Sequence, residues 1–141
     1  MITKTLESAI RYARMRLMED MSESNDKTNG IVCKGLIPIY AQNYTYSVGD
    51  VRIHPNTGTP KECMVAYDGS INPEWTIDTP TIWKPWHSRK KEYALPWEAP
   101  TGEHDMYKSG EYMIWSDGTI YVCKQDTNYS PDEYPEAWQI A

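Results

Sequence analysis

Three histidines and three cysteines are the side chains here best suited to chemistry, and their spacing argues against most of it. His54 precedes Pro55, His87 follows Trp86, and His104 precedes Asp105, all in turn-rich sequence. None has a Ser, Cys or carboxylate partner at a recognised catalytic spacing. His104-Asp105 is the one suggestive pair, and an Asp capping the turn before Tyr107 is the simpler reading of it. Cys33, Cys63 and Cys123 form an odd set with no tight spacing and no His at zinc-finger distance, so they read as reduced thiols holding no metal. Gly102, Gly110 and Gly118 are eight residues apart and belong to separate turns, not to a phosphate loop. The expectation is a non-enzyme that needs no cofactor.

The composition narrows the remaining classes. A chain of 141 residues holds one ordinary domain or two very small ones. It has 6 Trp and 11 Tyr but no Phe, so almost every ring carries a polar handle suited to a half-exposed or interface position. Fourteen Lys+Arg against 20 Asp+Glu give a net charge of −6, which speaks against a broad phosphate-binding surface and hence against nucleic acid. Lys4, Glu7, Arg11, Arg14, Arg16, Glu19 and Asp20 interrupt the first twenty residues, so neither a signal peptide nor a membrane span is expected there.

Residues 1–24 read as an amphipathic helix. Leu6, Ile10, Ala13, Leu17 and Met21 share one face, Thr3 is a candidate N-cap, and Glu7 with Arg11 makes an i,i+4 pair. So short a helix is marginal alone, so Leu6, Ile10, Ala13 and Leu17 must pack on the body or form an oligomerisation face. The polar run from Ser22 to Gly30 places a linker over residues 25–36.

Beyond the linker, short β-prone runs alternate with turn residues, and the sequence repeats itself. Tyr46-Ser-Val-Gly49-Asp50-Val51 returns as Tyr107-Lys-Ser-Gly110-Glu111-Tyr112. The hairpin signals Asn56-Thr57-Gly58 and Ser116-Asp117-Gly118 correspond, and a Cys follows each hairpin Gly by five residues, at Cys63 and Cys123. Asn72-Pro73 parallels Ser130-Pro131, and the copies close on Trp83 and Trp138. This defines a first module over 37–86, a charged bridge over 87–96 and a second module over 97–141. So few residues bury little core, so Tyr46 with Trp83 and Tyr107 with Trp138 should clamp the two copies. Cys63 and Cys123 should lie buried and unbonded, and Gly49 and Gly110 should take positive φ.

Tyr107-Lys-Ser-Gly110-Glu111-Tyr112, Gly118-Thr-Ile-Tyr121-Val-Cys123 and Pro135-Glu-Ala-Trp138 resemble chitin-binding type 3 modules of carbohydrate-binding families 5 and 12. With Trp97-Glu-Ala-Pro100-Thr-Gly102-Glu-His104-Asp105 and a helical lead, the chain is similar to structural proteins of phages and prophages of Gram-positive hosts. The resemblance implies a mainly β fold behind an N-terminal α-helix, with two tandem small three-stranded twisted-sheet modules. It also implies a virion protein, made in the bacterial cytoplasm, whose partners are other virion proteins, host cell-wall polysaccharide, and further copies of itself, by analogy a trimer.

The adjacent ring pair that carries sugar in those modules is missing: Gln125 and Asp126 follow Tyr121-Val-Cys-Lys124, while the first copy has Val65 and Ala66 before Tyr67. Trp97 is expected to pack between elements. Trp115, Tyr129 and Tyr134, with Tyr67 and Trp75 in the first copy, are the candidates for carbohydrate or partner binding. Two functions follow: a virion protein whose modules contact host glycan, or a head-fibre, decoration or tail-assembly element that uses the same fold for protein contacts alone.

Overall fold

The computed structural model describes residues 2–22 and 26–141, with backbone alone for 2–5 and 22. Helix α1 spans Ile2–Ser22. Thr3 falls inside it instead of capping it, and its side chain lies outside the described residues. Leu17 and Met21 are buried, Ile10 and Ala13 half-buried, and Leu6 is 58% exposed, so the helix packs by its C-terminal half and overhangs the body by the other. Arg14 ties it down by donating from Nε to the carbonyl of Leu36.

Part of the expected linker folds. Thr28–Val32 form a short helix, α2, and Lys34–Leu36 a 3-10 turn. The Asp26 carboxylate accepts the Thr28 N–H (2.9 Å) and hydroxyl (2.5 Å), which fixes the entry to α2. Burial pushes Asp26 up, but these bonds to Thr28 outweigh it and hold the carboxyl below its usual range. Polar composition hid the helix because only Thr28, Gly30 and Ile31 of it are buried. Gly30 is there for contact: a Cβ at that position would collide with the Trp86 ring and press on the Met21 side chain.

The rest is mainly β. Strand β1 (Thr45–Tyr46) pairs with β4 (Tyr67–Asp68). Strands β2 (Val51–Ile53), β3 (Pro60–Cys63) and β5 (Trp83–Pro85) form an antiparallel sheet in that order. A second sheet runs β6 (Leu95–Pro96), β7 (Tyr112–Ile114), β8 (Ile120–Cys123), β9 (Trp138–Ile140), parallel only between β6 and β7. It thus has four strands where three were expected, because the end of the bridge joins it.

The bridge is not a solvated connector. His87 and Ser88 are buried, Ser88 pairs with Tyr112, and Arg89 to Tyr93 and Pro96 stay exposed. Arg89 N–H donates to the Thr28 hydroxyl (2.7 Å), and buried Lys61 pairs with Glu98 (3.0 Å), so the two sheets are fastened to each other and to α2.

The two sheets repeat each other's bonds. Gly49 N–H donates to the Cys63 carbonyl (2.9 Å) and Gly110 N–H to that of Cys123 (2.8 Å). Cys63 N–H returns to Asp50 O (2.7 Å), and Cys123 N–H to Glu111 O (2.8 Å). Each turn is closed by its own acid, Asp50 Oδ2 accepting from Ser47 N (2.8 Å) and Glu111 Oε1 from Lys108 N (2.7 Å). Gly49 and Gly110 sit at φ 94° and 93°, a region L side chains avoid, as expected.

Three clusters make the core. One gathers Leu17, Met21, Ile31, Ile37, Val51, Trp86 and Leu95 between the helices and the first sheet. A second centres on Tyr46, Cys63, Tyr67 and Trp83, and a third on Tyr107, Met113, Cys123 and Trp138. The expected clamps are present: Tyr46 meets Trp83 edge-on at 5.0 Å, and Tyr107 meets Trp138 at 5.3 Å and 69°. Cys63 and Cys123 are buried and free, and burial pushes the Cys123 thiol up to about 11.

Candidate functional site

Most of the candidate rings are used inside the molecule. Tyr67 is buried, and its hydroxyl accepts from Trp83 Nε1 (3.0 Å); burial also raises its pKa. It is a core residue and not a ligand-facing ring, because β4 pairs with β1 and turns it onto Tyr46. Trp75 is half-buried and edge-on to Tyr67 at 5.8 Å. Trp115, directly before its hairpin, is half-buried against Trp97 at 5.7 Å. Tyr134 is half-buried on the third cluster. Only Tyr129 stands out, 57% exposed.

Trp97 packs as expected, stacked on Tyr107 at 5.1 Å and 12°. Its counterpart is Tyr40, stacked on Tyr46 at 5.7 Å and 19°. That correspondence escaped the sequence because a Trp stands opposite a Tyr. Exposed Tyr12 and Tyr44 were likewise passed over, since neither belongs to a repeated landmark.

The helix stripe divides. Leu17 belongs to the first cluster, so it is removed from the association face. Leu6, Ile10 and Ala13 remain, Leu6 exposed and the other two half-buried. Met15 and Met18 form one wall of an apolar groove of about 460 Å³, closed by Leu36, Val48 and Val51.

A cavity of about 720 Å³ lies where the end of the first sheet meets the second. Lys84, Trp86, His87, Arg89, Asp105 and Glu111 are among its walls. His87 lies flat on Tyr107, 3.8 Å between ring centres and 8° between planes. The buried Glu111 carboxylate accepts from its Nδ1 (3.1 Å), and Nε2 is buried with no partner. Asp105 accepts from Thr101 N (2.9 Å) and Gly102 N (3.0 Å), so it is the turn cap the sequence implied. His104 Nε2 stands 3.7 Å from it. Among the described residues no group of three or more His, Cys, Asp or Glu side chains is placed to hold a metal ion, and no helix is long and apolar enough to cross a membrane.

No protein-family model matches the chain, and no curated protein matches it.

Proposed function

We propose that the chain is a bacteriophage virion protein of the second kind expected above: two tandem copies of one small carbohydrate-binding-like module, used for contacts with other virion proteins and not for sugar. The matching turns, clamps and cysteines support the tandem reading. The phage assignment rests on the resemblance of Trp97 to Asp105 and of the closing Pro135-Glu-Ala-Trp138. One observation carries the choice between functions: Tyr67, Trp75, Trp115 and Tyr134 are turned onto the two cores, which leaves single exposed tyrosines in place of a paired aromatic platform. Sugar stacking needs the open face of a ring, so one buried ring and three half-buried ones packed against the cores give it less than an exposed pair would.

In this reading the overhanging half of α1 brings subunits together. Leu6, Ile10 and Ala13 form the seam, and burying the two larger side chains is worth roughly 1.5–3 kcal/mol each at most, enough to assist a trimer and not to cause one alone. Removing the whole helix would strip Leu17 and Met21 from the core, so the clean perturbation is Leu6→Glu with Ile10→Glu. The test combines retention on insoluble chitin and host cell wall with sedimentation and incorporation into particles. The expected result is no retention, with incorporation lost in the double variant. Retention that Tyr129→Ala abolishes would restore the glycan-contacting function.

A further inference from the structure

We propose that the apolar groove between α1 and the first sheet receives the acidic loop from Tyr129 to Glu136 of a second copy of this chain. The contact is head-to-tail, one surface meeting a different one. It uses another flank of α1 than Leu6, Ile10 and Ala13, so it stands apart from the seam proposed above. Met15 and Met18 form the helix side of the groove and Leu36, Val48 and Val51 the other. Met15 is 52% and Val48 67% exposed, so two large apolar side chains meet water beside one cleft.

Charge decides what kind of segment fits there. Arg14 and Arg52 stand on the walls against one acid, Asp50, whose Oδ2 is taken by Ser47 N (2.8 Å). Arg14 gives an N–H to Leu36 O and Arg52 one to Val51 O (2.7 Å), and Arg52 also lies over the Tyr46 ring. Among the described residues neither has a carboxylate within ion-pair distance, so most of each fork is left for an outside acceptor. The complement lies beside the second sheet. Asp132, Glu133 and Glu136 are exposed, with Tyr129 close by in sequence. Glu133 caps the turn by accepting from Ser130 N (3.0 Å), while Asp132 and Glu136 have no ion pair among the described residues. The loop beside the first sheet is more committed, since Asp68 holds Ser70 and Asp78 holds His54 (2.7 Å). No residue after Arg52 lines the groove, so the loop that enters it comes from another copy. Met and Arg on one side and Tyr on the other are side chains enriched at interfaces, and opposite charges at the rim fix the register. A contact of this head-to-tail kind closes into a ring where the rotation allows.

Sedimentation of the intact chain at low and high ionic strength is the first measurement, and association that weakens with salt is the expected result. Met15→Glu with Val48→Glu turns the groove acidic, and Asp132→Lys with Glu136→Lys turns the loop basic. All four positions are exposed, so both variants should melt with the parent. Each alone should lose self-affinity roughly tenfold or more, and an equimolar mixture should associate again, because each supplies the charge the other lacks. Variants that associate like the parent, or a mixture that stays monomeric, overturn the proposal. Association lost in Leu6→Glu with Ile10→Glu but kept in both charge variants overturns it too and leaves the seam as the contact. A parent that is monomeric at every salt concentration also overturns it, and leaves the groove to an acidic partner other than this chain.

Discussion

Trp138→Ala should cost far more than Trp115→Ala, although both replace a tryptophan packed against the third cluster. Trp138 is 4% exposed, lies edge-on to Trp97 at 6.0 Å and against Tyr107 at 5.3 Å, and donates from Nε1 to the Tyr129 carbonyl (3.0 Å). Truncating a buried aromatic of this kind costs about 3–5 kcal/mol, against total stabilities of about 5–15 kcal/mol for a domain. Trp115 keeps one ring contact and is only half-buried, so its loss should cost about 1–2 kcal/mol. For a chain of 141 residues each kcal/mol moves the melting temperature by about 3–4 °C. Trp138→Ala should then melt roughly 10–20 °C early, and Trp115→Ala about 3–8 °C early. Amide exchange supplies the second reading: protection at Cys63 and Gly49 should outlast protection at Cys123 and Gly110 in Trp138→Ala, since the second cluster shares no ring with the third. Equal melting points for the two variants would refute the packing argument. Simultaneous loss of protection in both sheets would refute the independence of the two cores.

Gly30→Ala would raise helix propensity by up to about 1 kcal/mol, yet it should destabilise by a net 1–3 kcal/mol, because the new Cβ meets the buried Trp86 ring; denaturant melts with tryptophan emission check it. Lys61→Ala strands Glu98 and leaves the Ile77 carbonyl without its donor (3.0 Å); with Glu98 partly solvated, the expected loss is about 1–3 kcal/mol by urea titration, and less for Glu98→Gln. Stability should also fall in alkali. Cys123 is raised in the folded state from 9.0 to about 11, so its contribution is complete below pH 9 and is lost between pH 9 and 11, as the unfolded thiol ionises first. Burial raises Tyr67 and Tyr107 as well and should extend that loss upward; stability measured across this range, with Cys123→Ala for comparison, reads the thiol's share.

What could be read from the sequence was set by backbone geometry. A turn that requires positive φ admits Gly almost alone, so Gly49 and Gly110 stand out, and a Cys on the inner face of a short strand meets little choice of size. The clamps Tyr46 with Trp83 and Tyr107 with Trp138 follow from the same economy of core. Stacked rings are freer: Tyr40 and Trp97 do one job with different residues, and no spacing rule connects them. Tyr67 was misplaced for a related reason, since a two-residue strand has no alternation from which to tell whether its aromatic turns inward or outward.

The bridge and the linker were harder to read because their structure is made at long range. Nothing local to Asp26-Lys-Thr-Asn-Gly30 favours a helix strongly, and α2 exists because Thr28 reaches Arg89 and Gly30 lies under Trp86. His87 likewise reads as a surface residue beside Arg89, Lys90 and Lys91, until Ser88 pairs with Tyr112 and sets the imidazole on Tyr107. The first cluster draws on α1, α2, the first sheet and Leu95 of the second. The connecting segments are therefore what join the two sheets, each with its own ring cluster, and the 720 Å³ cavity forms at that junction.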